Sequence, residues 1–185
     1  KSLLKPSVPS LVLTSSDRTG PNIMTAAWWM VGGYDPFRYL LAVQHSDYTY
    51  EIIEENPEYV ISVPTTEMVD VLAFCGALSK REIEKLDHLG LDRMPGQEVD
   101  VPVLCEALGN IECSVMDSFT YEDCTYYFGH VEAAYAKPDA LNGRVLSPDS
   151  NPLAYLGSQQ PTGDEGKHRY YLEFGPDQVR TYPDD

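Results

Sequence analysis

The sequence predicts an all-β protein with peripheral helices, folded as a closed or nearly closed antiparallel barrel. Three observations carry that reading. Short β-rich runs bounded by turn residues recur up to Pro64 and again from Gly109 onward. Helical patterns are few and short, and gather between Thr49 and His88. Neither a G-x-G-x-x-G turn nor a P-loop is present, which argues against a parallel dinucleotide-binding sheet. Periodicity alone leaves a two-sheet sandwich as the alternative.

Taken in order, Leu11-Val12-Leu13-Thr14-Ser15 forms the first strand, and Ser16 to Gly20 supplies strong turn chemistry. Ile23 to Met30 is a second apolar run, stopped at Gly32-Gly33, and the two read as a hairpin. Tyr39 to Val43 is a third strand, and Tyr59 to Val63 a fourth, closed by Pro64. Between them Thr49 to Asn56 reads as a helix. Ile52 and Ile53 form its buried side, Glu51, Glu54 and Glu55 its wet side, and Asn56-Pro57 ends it. Met68 to Leu78 predicts a second helix, and Glu82 to His88 a third that ends at Gly90. Strands return at Gly109 to Met116 and Thr125 to Tyr135. Lys137 to Pro152 reads as a long surface connection and Gln159 to Gly166 as a polar loop; Leu153 to Leu156 and Tyr170 to Phe174 are late strands. The expected organisation is one domain over residues 1–185, with a helical insertion at about 66–92 and a surface loop at about 137–152.

Charge narrows the function. The chain carries 29 acidic against 13 basic residues, a net charge of −16. That field repels phosphate backbones and anionic lipid, so neither nucleic acid nor a membrane surface is an expected partner. A phosphorylated small ligand would need its own local donors and positive charge. No stretch approaches the ~20 apolar residues of a membrane helix. Lys1 to Pro6 lacks the apolar run of a secretory signal. Cys75, Cys105, Cys113 and Cys124 form no C-x-x-C pair, and the four histidines are scattered, so no metal site is expected. The cysteines read as buried thiols of a reducing compartment, and the expected location is cytoplasmic.

Two constellations carry candidate chemistry. In Pro21-Asn22-Ile23-Met24-Thr25-Ala26-Ala27-Trp28-Trp29, small and hydroxyl residues share a strand with two tryptophans. This suits a flat heteroaromatic ligand whose edge is read by short polar groups; plain core packing explains the same residues. In His45-Ser46-Asp47-Tyr48-Thr49-Tyr50, a helix N-terminus with the hydroxyls of Ser46 and Thr49 offers a phosphate cradle, or an ordinary N-cap. Asp47 and Glu51 in the same turn oppose an anion. Ser79-Lys80-Arg81 and Lys85 form the densest basic cluster of this acidic chain, with Arg38 and His45 as further candidates. No catalytic triad is readable, and no residue is assigned as acid or base.

The series Pro9-x-Leu11-Val12-Leu13-Thr14-Ser15, a turn with Gly20, then Pro21 to Trp28 resembles the opening of the flavin reductase-like family, including flavoredoxin-type proteins. Ser46-x-x-Thr49, Tyr59 to Pro64, Val69-Asp70, Cys75-Gly76, Lys85, Leu89-Gly90-Leu91, Leu104 to Ala107, Ile111 to Cys113, Gly129-His130-Val131 and Leu153 to Gly157 follow in matching order. The resemblance covers roughly residues 8 to 175 and implies an FMN-binding split β-barrel, usually a homodimer with flavin near the interface. By position it implies that Asn22, Met24, Thr25, Ala26 and Ala27 flank the isoalloxazine, that Ser46 and Thr49 meet the phosphate with Lys85 in support, and that Trp28 or Trp29 covers the ring or lines the interface. Relatives often place an arginine by the phosphate segment, where this chain reads Gln44-His45-Ser46-Asp47. The implied activity is NAD(P)H-dependent flavin reduction or flavoredoxin-like electron transfer to a redox partner protein. The alternative is a flavin-free split barrel serving as a ligand-binding or interaction module.

Overall fold

A computed structural model describes residues 7–143, 145–159 and 168–173. Strand β1 (Ser10–Ser16) pairs antiparallel with β2 (Gly20–Ala26), Ser10 opposite Ala26. Their turn closes because Gly20 takes φ +63°, where a side chain would be strained. The second apolar run then divides. β2 ends at Ala26, and β3 (Trp29–Tyr34) pairs instead with β4 (Phe37–Gln44). Gly32-Gly33 lies inside β3, at an irregularity in its register, and does not stop the strand.

Helix α1 (Tyr48–Glu55) buries Thr49, Ile52 and Ile53, and β5 (Glu58–Val63) follows. A 3-10 turn (Thr66–Met68), α2 (Val69–Cys75) and α3 (Lys85–Leu89) come next, α3 closing on Gly90 in the left-handed region. The short pair β6 (Arg93–Met94) and β7 (Val103–Leu104) precedes the long hairpin β8 (Gly109–Tyr121) and β9 (Cys124–Ala136). That hairpin outruns its apolar pattern: the outer half of β8 is exposed and polar-rich, yet pairing continues to Tyr121 opposite Cys124. Within the expected loop after Lys137 lie a small hairpin, β10 (Leu141–Asn142) with β11 (Val145–Leu146), and a 3-10 turn (Pro148–Ser150). Strands β12 (Leu153–Gln159) and β13 (His168–Glu173) pair with each other. Most of the expected Gln159–Gly166 loop, and Phe174, lie outside the described residues.

Seven strands form one sheet in the order β2-β1-β5-β8-β9-β4-β3. Its edge strands are consecutive in sequence, joined only by Ala27 and Trp28. A flat sheet of this width would separate its edges by about 29 Å, whereas three Cα–Cα steps reach at most about 11 Å. The sheet must therefore curl until β2 and β3 meet, which makes it a barrel. The Ala42 N–H donates to the Trp28 carbonyl (3.0 Å), carrying the β3–β4 ladder back into this link.

Two cores result. Inside the barrel pack Val12, Ala26, Leu41, Val43, Tyr59, Ile61, Cys113 and Tyr127. Outside it, Leu11, Leu13, Ile23 and Val60 meet Met68, Leu72, Leu86 and the Val99–Leu104 segment. Burial on both faces explains why β1 and β5 read as continuous apolar runs rather than alternating ones. It also seats the helical segment against β2, where the candidate site lies.

Candidate functional site

One cleft of about 220 Å³ opens where three elements converge: β2, the corner from β4 into α1, and the chain from the end of α2 to the start of α3. Asn22, Met24 and Thr25 line it from the first, Ser46 and Thr49 from the second, and Lys85 from the third. Asp47, Tyr48, the segment Cys75–Lys80 and Glu82 complete the lining. The other predicted residues lie elsewhere. Ala26 follows the alternation of β2 into the barrel interior and is 5% exposed. Ala27 and Trp28 occupy the break between β2 and β3, outside the lining, and Trp28 is 52% exposed. Trp29 packs edge-on against Tyr39 and donates its indole N–H to the Val8 carbonyl (3.2 Å). Arg38 and His45 do not line the cleft; His45 hydrogen-bonds Thr125 at 3.0 Å.

Polar groups hold the walls together. The Asn22 amide donates to Thr49 Oγ1 (3.0 Å) and Thr14 Oγ1 (3.3 Å), tying β2 to α1 and β1. Its Oδ1, fully buried, accepts nothing from the described residues. Thr25 Oγ1 donates to the Leu72 carbonyl (2.6 Å), anchoring α2 on β2. Gly76 permits this approach, since a Cβ there would meet Leu72 O and Thr25 Cβ at 3.2 Å. Asp47 occupies the N-cap of α1 but makes no side-chain capping bond.

The cations come from the segment between α2 and α3. Lys85 is 4% exposed and donates to the carbonyls of Leu78 (3.1 Å) and Cys75 (3.3 Å). Lys80 donates to the Pro21 carbonyl (2.9 Å) and pairs with Glu84. Arg81 pairs with Glu51, donates to the Ser46 carbonyl (3.1 Å) and lies 4.7 Å over the Tyr48 ring. An arginine thus reaches the Ser46 corner from a distant stretch of sequence. Burial lowers the Lys85 pKa, with Cys75 and Asp47 opposing; burial raises Asp47, with Lys85 and Arg81 among the opposing groups. Burial also pushes the Cys75 thiol up to about 11, so it is protonated at neutral pH and is no activated nucleophile.

The sequence marked the basic cluster and the Asn22–Thr25 strand separately. What it missed is the wall from Gly76 to Leu78 that joins them: the sequence predicts helix as far as Leu78, whereas α2 ends at Cys75 and the chain beyond it lines the cleft. A second depression, about 360 Å³, lies among Arg93–Gly96 and Val99–Pro102. Though larger, it holds none of the predicted residues, and Arg93 is already paired with Asp87 at 2.7 Å.

A curled antiparallel barrel with a polar, partly cationic cleft at β2 defines the class, and residues 6–164 match the family model described as "Flavin reductase like domain". The chain belongs to that family. It is 36% identical over 135 residues to an uncharacterized protein of Pyrococcus abyssi, covering 73% of this chain and 77% of the relative. Among solved structures it resembles flavoredoxin of Desulfovibrio vulgaris (Miyazaki F), with TM-score 0.78, 24% identity, and 96% and 91% of the two chains covered. An FMN-binding protein from Thermus thermophilus, with bound p-hydroxybenzaldehyde, aligns with TM-score 0.81, 20% identity, and 99% and 93% covered. These two likenesses establish the split-barrel fold.

Proposed function

We propose that this chain is an FMN-binding oxidoreductase that uses NAD(P)H for flavin reduction. The observation that carries the reading is the convergence of Asn22, Thr49 and Lys85 on one cleft, with a buried acceptor, Asn22 Oδ1, left without a partner among the described residues. A buried polar atom without a partner calls for an explanation; a ligand donor at this cleft is the one this reading offers, and FMN has both an imide N–H and ribityl hydroxyls. Met24 gives the ring apolar contact. Ser46, Thr49 and Lys85 supply hydroxyls and charge for the phosphate beside the first turn of α1. The volume lies below the ~300–1,000 Å³ usual for small-molecule sites, so part of the flavin stays reachable by a donor or acceptor. Bound there, FMN would supply hydride and electron transfer, while the chain binds, orients and limits access to it.

The exposed apolar side chains Trp28, Met30, Tyr34 and Phe119 support a homodimer built on the β8-β9-β4-β3 side of the sheet. Three buried free thiols favour a cytoplasmic setting. Flavoredoxin-like electron transfer to a partner protein shares the flavin site with this reading and differs in the redox partners. The carboxylates of Asp47 and Glu82 in the lining favour a second reading, a flavin-free binding module.

The test is the visible spectrum of the purified protein with added FMN, followed by anaerobic NADH and NADPH. Bound flavin bands that bleach support the reductase, and bands that persist indicate another donor. Absence of FMN binding leaves the flavin-free module. Ser46→Ala with Thr49→Ala is expected to weaken FMN binding more than tenfold, about 1.4 kcal/mol or more, by fluorescence titration.

A further inference from the structure

Resting on the flavin reading above, we propose that Asp47 is a specificity-determining residue: its carboxylate weakens the cleft's hold on the phosphate of FMN and leaves the hold on uncharged riboflavin unchanged. Asp47 belongs to a residue type that caps helices by accepting from first-turn N–H groups. Here its φ of −76° and ψ of 134° fit an N-cap, yet the side chain makes no such bond. The fold does not use this carboxylate as a cap. It lines the cleft at the start of α1, where the helix dipole and the first-turn N–H groups otherwise favour an anion.

The neighbouring charges are largely committed. Arg81 is engaged by Glu51 and the Ser46 carbonyl, and Lys80 by Glu84 and the Pro21 carbonyl. Glu82, the other carboxylate of the lining, accepts from the Ser79 N–H (2.7 Å). Among the described residues, Lys85 donates only to two main-chain carbonyls. Lys80 and Lys85 against Asp47 and Glu82 leave the lining formally neutral, within a chain of net charge −16. A phosphate entering this corner is drawn by α1 and Lys85 and repelled by Asp47. Because the cleft is partly buried, that repulsion is screened less than at an open surface. Asn22 Oδ1, without a partner among the described residues, is a neutral acceptor and adds no charge to the cleft.

The experiment titrates FMN and riboflavin separately into the full chain at low salt, following flavin fluorescence for wild type, Asp47→Asn and Asp47→Ser. Thermal melts of each accompany the titrations. Both variants are expected to bind FMN at least about fivefold tighter, to bind riboflavin within about twofold of wild type, and to lose the FMN gain at high salt. Their melting temperatures are expected to stay near wild type, because no capping bond is lost. FMN affinity unchanged or weakened in both variants overturns the proposal. So does equal tightening for riboflavin, which would mark a steric effect and not a charge effect. If wild type and both variants bind neither flavin, the flavin reading itself falls, an outcome distinct from flavin binding that ignores Asp47.

Discussion

Asn110 and Asn22 are both buried asparagines on strands of the same sheet, 6% and 3% exposed, and the protein answers them differently. Asn110 is engaged at both ends: Oδ1 accepts from Ser62 Oγ (2.6 Å), and Nδ2 donates to the Leu104 carbonyl (3.0 Å). Two residues along β8, the fully buried Glu112 is answered still more completely. It accepts from the backbone N–H groups of Gln97, Glu98 and Val99 and from the Tyr135 hydroxyl (2.7 Å). Asn22 is answered at its amine end alone. A buried unpaired polar atom costs about 1–3 kcal/mol; of the buried atoms without a partner among the described residues, Asn22 Oδ1 is the one that belongs to the cleft lining.

The comparison breaks first at Glu112, where the largest effect is expected. Burial pushes its pKa up, but the bonds from Gln97, Glu98, Tyr135 and Val99 outweigh burial and hold it below the ordinary 4.5. Glu112→Gln keeps the shape but loses acceptor capacity and the charge that strengthens those bonds, an expected cost of about 3 kcal/mol in urea unfolding. A carboxyl lowered on folding contributes stability that is intact above its unfolded value and is lost as pH falls through its folded one. Wild type should therefore lose stability more steeply than Glu112→Gln below about pH 4.5. Parallel acid limbs for the two proteins would show that Glu112 does not anchor the Gln97–Val99 turn.

A smaller effect separates the two asparagines. Asn110→Ala strands Ser62 and the Leu104 carbonyl and should cost about 2 kcal/mol. Asn22→Ala strands only hydroxyls and removes an acceptor that was already unpaired, so about 1 kcal/mol is expected, together with weaker FMN binding. Urea unfolding measures the first pair of values and fluorescence titration the second. Equal destabilisation without loss of affinity would make Asn22 a structural residue like Asn110.

The same contrast explains what could be read from sequence. The hairpin of β1 and β2, α1 with Ile52 and Ile53 inside, and β5 before Pro64 are written in local periodicity and turn residues, and each emerged within a few positions of its structural bounds. The division of β2 from β3 was not legible. Ile23 to Met30 is continuous in apolar character, and only long-range pairing, Ser10 with Ala26 and Leu41 with Trp29, breaks it. The outer half of β8 was hidden because pairing with β9, not burial, holds it. In the cleft, Asn22, Ser46 and Lys85 each stood out by residue type and local setting. Their meeting depends on Thr25 docking on the Leu72 carbonyl and on Arg81 crossing to Ser46, contacts separated by 47 and 35 residues. Local pattern has no access to separations of that length.

Lys85 sharpens the comparison with the smallest expected change in stability. Burial lowers its pKa, so at neutral pH the folded chain carries a desolvated ammonium at a cost that Asp47 only partly offsets. Lys85→Met removes that cost but leaves the Leu78 and Cys75 carbonyls without their donor. The two effects oppose each other, and unfolding free energy near pH 7 should change by no more than about 1 kcal/mol. The pH dependence distinguishes this cancellation from indifference. A lysine whose folded pKa is lowered binds fewer protons folded than unfolded between that value and 10.5, so wild type should gain stability relative to Lys85→Met as pH rises through that window. FMN affinity, in contrast, should fall more than tenfold in the variant. A large loss of stability with unchanged FMN binding would place Lys85 with Glu112 among the groups that hold the fold. Near-constant stability with lost affinity would place it with Asn22, as a charge the fold tolerates because the ligand uses it.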